Sequence, residues 1–140
     1  MKTLKNILLY LWQLPQNLLG LLLVAVLRPE KSYSLDNGSI VYFSKRMPGG
    51  ISLGKYSIVA SYHFRESLEE TLKRDTVRHE AIGHAMQSRY LGWLYLIVIG
   101  LPSIVWAALY GSVIKTSRNG YYRFYTERWA DKLAGVNRND

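Results

Sequence analysis

Residues 75–92 read DTVRHEAIGHAMQSRYLG, and the interpretation of the whole chain starts from this stretch. It contains His79 and His84, with Glu80 directly after the first histidine. Two histidines and a glutamate on one helix are the usual means of presenting a zinc ion together with a general base. The usual spacing places the histidines four residues apart, whereas here they are five residues apart. The motif is therefore H-E-x-x-x-H.

The five-residue spacing sets a geometric condition on the helix. Each residue of a regular α-helix turns by about 100°, so side chains five residues apart point about 140° away from each other. One extra residue accommodated as a π-turn reduces that separation to about 40°. Gly83, directly before His84, makes such a distortion easier. We therefore predict a π-turn between the two histidines if they share one ion.

The sequence HEAIGH resembles the HELLGH motif of the dipeptidyl peptidase III family, whose zinc peptidases carry the same additional residue. This six-residue resemblance implies that His79 and His84 bind zinc and that Glu80 is the catalytic base. A catalytic zinc ion needs three protein ligands and an open position for water. The third ligand must therefore come from another part of the chain.

Residues 121–135 predict a short helix that carries Glu127 and Asp131 four residues apart. Side chains at this spacing lie on one helical face. The E-x-x-x-D pattern resembles the second zinc helix of the thermolysin-like peptidases, the gluzincins. In that family the glutamate binds the metal and the aspartate orients a histidine. The resemblance implies that Glu127 is the third ligand and that Asp131 accepts a hydrogen bond from a ligating histidine.

A longer part of the chain resembles a group of small bacterial membrane proteins. It comprises RHEAIGHAMQSRYLGWLYLIVIGLPS, residues 78–103, and YYRFYTERWADKLAGV, residues 121–136. That group has an R-H-E-x-G-H core with the histidines four residues apart, so this chain carries one inserted residue. The resemblance implies a location at a membrane, for which we expect the bacterial inner membrane.

The composition favours membrane lipid over nucleic acid as a partner. The chain of 140 residues has a formal net charge of +8 and contains no cysteine, which excludes disulfides, cysteine zinc sites and thiol nucleophiles. Two uncharged runs, residues 7–27 and 93–114, contain much of the apolar content, and basic residues flank them. No nucleic-acid-binding motif accompanies the charge. We therefore expect contact with anionic lipid and no nucleic acid.

The chain predicts a single, small, membrane-associated α+β domain over residues 1–140. A β-hairpin (36–62) is expected to pack against the metal-binding helix (66–92). Ser39–Ser44 predicts one strand, and residues 51–53 and 56–61 predict either a second strand pair or one strand bulged at Gly54. The remaining segments are an N-terminal apolar helix (1–30), an apolar helical hairpin (93–114), the helix at 121–135 and a frayed end from Val136.

Both apolar runs contain a helix-breaking position. Pro15 favours two helices joined at Leu14–Pro15 over one plain span, and a signal peptide is a third alternative, although no cleavage site follows. Gly100–Pro102 favours a reversal that keeps both flanks on one side of the membrane. A single crossing would instead separate Glu127 from the two histidines.

These observations predict a membrane-associated zinc-dependent peptidase that hydrolyses peptide or protein substrates with a metal-activated water molecule. One alternative is a non-catalytic membrane protein with a structural or degenerate metal site. A second alternative is a basic interaction module on lipid surfaces, with Glu80 and His84 as an ordinary pair on a helix. Three tyrosines are candidates either for oxyanion stabilisation or for a place at the membrane interface: Tyr121, Tyr122 and Tyr125.

Overall fold

Two helices form the N-terminal segment of the computed structural model, which describes residues 1–114 and 118–138. Helices α1 (Lys2–Trp12) and α2 (Leu14–Leu27) meet at an angle of 85°. Pro15 lies in the first turn of α2, where its missing N–H removes no helical hydrogen bond. Of the alternatives for this run, the structure therefore shows two short helices in place of the single N-terminal helix over 1–30.

The polar residues at the start of α2 point into the protein. Gln16 donates hydrogen bonds to Ser88 Oγ at 2.9 Å and to the Gly92 carbonyl at 2.8 Å. The Asn17 side-chain oxygen accepts a hydrogen bond from the Lys55 backbone N–H at 2.7 Å. The apolar side chains of both helices are exposed. Surface helices of globular proteins usually have the opposite arrangement, with the apolar face towards the core. The exposed apolar side chains are Leu4, Ile7, Leu8, Leu11, Trp12, Leu18, Leu19, Leu21, Leu22 and Val26.

A four-stranded sheet follows, with the order β1-β2-β4-β3. Its strands are β1 (Lys31–Ser34), β2 (Ile40–Ser44), β3 (Gly50–Leu53) and β4 (Tyr56–Ala60). The β1–β2 and β3–β4 pairs are antiparallel, and β2 and β4 are parallel. The prediction of a single hairpin over 36–62 was wrong, because β1 adds an antiparallel partner to β2 and β2 pairs in parallel with β4. Of the two alternatives for residues 51–61, the structure shows the strand pair, with Gly54 in its turn at a φ of +66°.

The core lies between this sheet and the helix that carries the two histidines. Val41, Phe43 and Val59 of the sheet form one buried cluster with Val77 and Ala81 of the helix. Strand β4 is buried along its whole length because it is central in the sheet and is covered by helices. The predicted packing of strands against the motif-bearing helix is confirmed.

The segment predicted as one helix over 66–92 contains a short helix and a longer one. Ser67 caps α3 (Leu68–Thr71) by accepting a hydrogen bond from the Glu70 N–H at 3.1 Å. The longer one, here called the motif helix, covers residues 75–91. It consists of α4 (Asp75–Arg78), a π-helical segment (His79–His84) and α5 (Ala85–Leu91). The motif helix ends at Gly92, which has a φ of +54°, where the sequence predicts its end.

A second long helix, here called the apolar helix, covers residues 96–114. It consists of a π-helical segment (Leu96–Gly100), α6 (Leu101–Leu109) and a second π-helical segment (Tyr110–Ile114). The predicted reversal at Gly100–Pro102 was wrong. Pro102 lies in the first turn of α6 directly after a π-turn, so its missing N–H does not break the helix. The chain reverses earlier, next to the 3₁₀ turn Gly92–Leu94, where it bends by 119°.

After the apolar helix, α7 (Arg118–Tyr121) and α8 (Tyr125–Ala134) bring the chain back towards the motif helix. The Trp106 indole N–H donates to the Tyr121 carbonyl at 2.8 Å, and the Tyr125 hydroxyl donates to the Val98 carbonyl at 2.7 Å. Helix α8 confirms the predicted helix at 121–135, although it begins at Tyr125. The predicted fraying was wrong for Val136, which is buried and whose N–H donates to the Asp131 carbonyl.

None of the helices in residues 1–114 and 118–138 is by itself long and apolar enough to cross a membrane. Two bent pairs reach that length and apolarity jointly: Lys2–Trp12 with Leu14–Leu27, and Asp75–Leu94 with Leu96–Ser112. The α+β fold class is confirmed.

Candidate metal centre

The π-helical segment His79–His84 coincides with the H-E-x-x-x-H motif. Its wider turn brings the imidazoles of His79 and His84 together, with ring centroids 4.7 Å apart and ring planes at 87°. Both histidines are almost completely buried. The predicted π-turn is therefore confirmed, and it places the two rings on one side of the motif helix.

Glu127 of α8 meets both rings. Its Oε2 atom lies 2.8 Å from His84 Nε2 and 3.6 Å from His79 Nε2. Ligand atoms around a tetrahedral zinc ion, each 2.0–2.1 Å from the metal, would be roughly 3.3 Å apart. The His79 Nε2 atom is buried and has no hydrogen-bond partner within the described residues. The three residues therefore offer donor types that metal ions use, and Glu127 Oε2 lies close to both imidazole nitrogens.

The outer nitrogen of each histidine is held by a hydrogen bond. His79 Nδ1–H donates to Asp131 Oδ1 at 2.7 Å, as the E-x-x-x-D pattern predicts. His84 Nδ1–H donates to Gln87 Oε1 at 2.6 Å, and Gln87 in turn donates to the Thr126 carbonyl at 2.9 Å. These bonds leave the lone pair of each Nε2 directed at the shared site. Sequence analysis missed Gln87, although its position three residues after His84 places it on the same helical face.

Arg138 also belongs to the site and was missed, because the sequence predicts a frayed C-terminal end. Its Nε and Nη2 atoms donate to the two carboxylate oxygens of Asp131 at 2.8 Å and 3.1 Å. Its guanidinium lies 3.3 Å from the centroid of the Tyr122 ring, which packs edge-on against His79. Arg138 therefore holds the Asp131 carboxylate in place, and this carboxylate in turn orients the His79 ring.

The three candidate tyrosines have different positions. The Tyr121 hydroxyl donates to Glu127 Oε1 at 2.8 Å, so Tyr121 orients the carboxylate. Tyr122 packs against His79, and Tyr125 is directed away from the site towards Val98. Tyr121 is therefore the candidate with a hydroxyl at the cluster.

The charges of the cluster shift its pKa values in opposite directions. Burial by itself would lower the pKa of His79, but its hydrogen bond to Asp131 and the nearby carboxylate of Glu127 raise it to about 9. The pKa of His84 is raised against the effect of burial by the charges of Glu127 and Glu80. Burial would raise the pKa of Glu127, but His84 and His79 hold it well below its usual value. Burial raises the pKa of Glu80. The carboxylate of Glu127 is therefore held in its charged form, whereas the carboxylate of Glu80 binds a proton more readily.

Glu80 lies on the wall of the site next to the sheet. Ligand atoms of His79, Glu80 and His84 all lie within 4.8 Å of one another, so by distance this group could also hold a metal ion. Glu80 Oε2 is buried and has no hydrogen-bond partner within residues 1–114 and 118–138. The side chain packs over Gly50, where a Cβ atom would lie 2.8 Å from Glu80 Cγ. Glycine at position 50 therefore makes room for this carboxylate.

A cavity of about 680 Å³ borders the cluster. Glu80, His84 and Glu127 form one of its walls, and strand β3 lies along another. The remaining walls are apolar side chains from α2 and the apolar helix. The cluster is therefore buried but borders a space large enough for a ligand.

Comparisons with protein families, with curated proteins and with solved structures find no match for this chain. Its function is accordingly argued from the chemistry of the site, since a fold by itself does not determine an activity.

Proposed function

We propose that this protein is a membrane-associated zinc-dependent peptidase. In this proposal His79, His84 and Glu127 hold the zinc ion and Glu80 is the general base. The observation that carries it is the meeting of two imidazole Nε2 atoms at one oxygen of Glu127, at 2.8 Å and 3.6 Å. An ordinary pair on a helix surface would not require two buried histidines to converge on a carboxylate beside a large cavity.

The donor set supports zinc. Two imidazole nitrogens and one carboxylate oxygen are a common catalytic zinc set, whereas Mg²⁺ and Ca²⁺ prefer oxygen ligands alone. Glu127 is the better third ligand because its oxygen contacts both histidines and its pKa is lowered. Glu80 then remains free for proton transfer.

The chemistry of hydrolysis follows from these assignments. A zinc ion at this site would activate a water molecule and polarise the carbonyl group of a peptide. Glu80, whose pKa is raised by burial, would accept the proton of that water and pass it to the leaving amine. Tyr121 and Asp131 keep Glu127 and His79 in position during the reaction.

The free edge of the sheet supports a peptide as the substrate. The Ala60 N–H donates to the Gly49 carbonyl at 2.9 Å, so the alternation of an antiparallel pair turns the backbone groups of Gly50 and Ser52 away from β4. The Tyr95 hydroxyl donates to the Ser52 carbonyl from that side at 2.8 Å, in agreement with this direction. An extended peptide could pair with the remaining groups of this edge beside Glu80.

The distribution of side chains supports association with a membrane. Leucines of α2 are exposed while its glutamine and asparagine side chains are buried. The apolar helix likewise exposes Leu101, Ile104 and Val105. Contiguous apolar surface of this kind is uncommon on soluble monomers and is typical of membrane or protein contacts.

The proposal is tested by elemental analysis combined with activity on a peptide library. We expect about one zinc ion per chain in the wild type, loss of zinc in His84→Ala, and retained zinc with a roughly 10²–10⁴-fold loss of activity in Glu80→Gln. His63→Gln is the matched control, since the third histidine lies outside the cluster and should leave the zinc content unchanged. Zinc without turnover on any peptide would favour a structural metal site, and absence of zinc would overturn the proposal.

A further inference from the structure

The cavity beside the metal cluster is almost entirely apolar. Residues of α2 and of the apolar helix face each other across it, and the charged residues are confined to one wall. A volume of about 680 Å³ exceeds what a single side chain fills, so the cavity fits a longer apolar group. The apolar lining comprises Leu19, Leu22, Leu23 and Val26 of α2, and Leu96, Ile97, Leu101, Ile104 and Ala107 of the apolar helix.

The cavity opens on the apolar surface of the protein. Leu22 on one side and Ile97 on the other line it while being 61% and 68% exposed. Leu18 and Leu21 of α2 and Val105 of the apolar helix are exposed as well, next in sequence to residues that line the cavity. A ligand that approaches through this opening therefore passes over exposed leucine, isoleucine and valine side chains before it reaches Glu80.

One feature of the cavity distinguishes a peptide from a lipid. Strand β3 lines it, and the outward backbone groups of Gly50 and the outward N–H of Ser52 offer hydrogen bonds to an extended chain, while the Ser52 carbonyl accepts one from Tyr95. An acyl chain has no group that could use them. In an apolar environment such backbone groups need partners, since leaving them unpaired is costly.

We propose that the substrate is an apolar peptide segment embedded in the lipid bilayer, which enters the cavity sideways between α2 and the apolar helix and pairs with β3 beside Glu80. This inference rests on the proposed function and specifies its substrate class. The segment is extended where it contacts β3, because a helix satisfies its own backbone hydrogen bonds and leaves none for a strand.

The test uses binding rather than turnover. The zinc-loaded full-length Glu80→Gln chain is reconstituted in vesicles of phosphatidylcholine and phosphatidylglycerol. The probe is a leucine- and alanine-rich peptide of about 20 residues, with lysines at its ends and a benzophenone near its middle, long enough to lie in the bilayer. After illumination, mass spectrometry identifies the labelled residues. Competitors are the same peptide without benzophenone and a soluble peptide in which serine and glutamine replace leucine.

We expect labelling of the cavity lining that the apolar competitor abolishes and the soluble competitor leaves unchanged. Ala107→Trp places an indole in the cavity and should lower the labelling yield about tenfold. Ala108→Trp is the matched control, since both alanines are exposed but only Ala107 lines the cavity. Its labelling yield should equal that of the parent.

Three results would overturn the inference: equal competition by the soluble peptide, labelling confined to the outer face of α1, or a photoactivatable phosphatidylcholine that labels the cavity and is not displaced by the apolar peptide. Failure of the proposed function has a different signature. In that case the labelling follows the expectation, but the zinc-loaded wild type cleaves neither the bilayer peptide nor any soluble peptide.

Discussion

Each histidine of the cluster is oriented through its outer ring nitrogen, and Gln87 does this for His84. Replacing Gln87 by leucine removes the acceptor for His84 Nδ1–H and also the donor to the Thr126 carbonyl. We expect Gln87→Leu to lower zinc affinity by roughly 10–100-fold, as is usual when the partner of a ligating histidine is lost. Competition with a chromophoric chelator measures this affinity.

Gln87→Glu is the control for that variant because it keeps an acceptor oxygen at the same position. Its zinc affinity should stay much closer to that of the wild type. Equal affinities for Gln87→Leu and the wild type would show that His84 is oriented by packing alone.

At the level of single residues, the sequence identified those partners that lie at helical spacing from a recognisable motif. Asp131 lies four residues after Glu127, and it contacts His79 as predicted. Arg138 has no such signal, because its contact with Asp131 depends on how the chain folds back after Gly135. A polar residue near a chain end predicts fraying unless a buried partner is known.

At the level of elements, the motif helix and α8 approach each other closely at Gly83. A Cβ atom at Gly83 would overlap with the carbonyl oxygen of Ala130, so only glycine permits this approach. The structure thus gives Gly83 a packing role in addition to the local distortion that the sequence suggests. The approach matters for the site because α8 carries Glu127 and Asp131.

We expect Gly83→Ala to lower the free energy of unfolding by about 1–3 kcal/mol, since the two helices must separate. It should also weaken zinc binding, because Glu127 moves away from the histidines. Denaturant titration and the chelator assay measure the two effects. Gly111→Ala is the matched control, because a Cβ atom there meets no atom within 4 Å. Similar stabilities of the two variants would show that α8 shifts without cost.

The apolar helix shows how an element can differ from its sequence signal. The sequence Gly100-Leu101-Pro102 favours a reversal of the chain. In the structure, however, Gly100 ends a π-turn and Pro102 lies in the first turn of α6. The π-turn accommodates the proline within the helix, so the reversal occurs at residues 94–96 instead. The result that matters for the site is nevertheless the expected one, since Glu127 reaches the histidines.

The folding stability of the whole molecule should depend on pH when no metal is bound. The pKa of His79 is about 9 in the folded protein, above its ordinary value of 6.5, because Asp131 and Glu127 outweigh the effect of burial. A raised folded-state pKa contributes stability that is fully present below pH 6.5 and is lost as pH rises through about 9. We therefore expect the free energy of unfolding of the metal-free chain to fall over this range.

Urea titrations of the metal-free protein at several pH values measure this dependence. Asp131→Asn removes the charge that helps to raise the pKa of His79 and should flatten the decrease. A free energy of unfolding that rises between pH 6.5 and pH 9 would contradict the assigned contacts of His79.

The sequence by itself determined most helices, the strands β2 to β4, the break at Pro15, the π-turn condition and the candidate residues of the cluster. These properties depend on periodicity and on residue chemistry over a few positions. Only the tertiary structure decided the parallel pairing of β2 with β4, the place of the reversal, the partners Gln87 and Arg138, and the cavity between α2 and the apolar helix. Each of these depends on contacts between residues far apart in the chain, which local patterns do not specify.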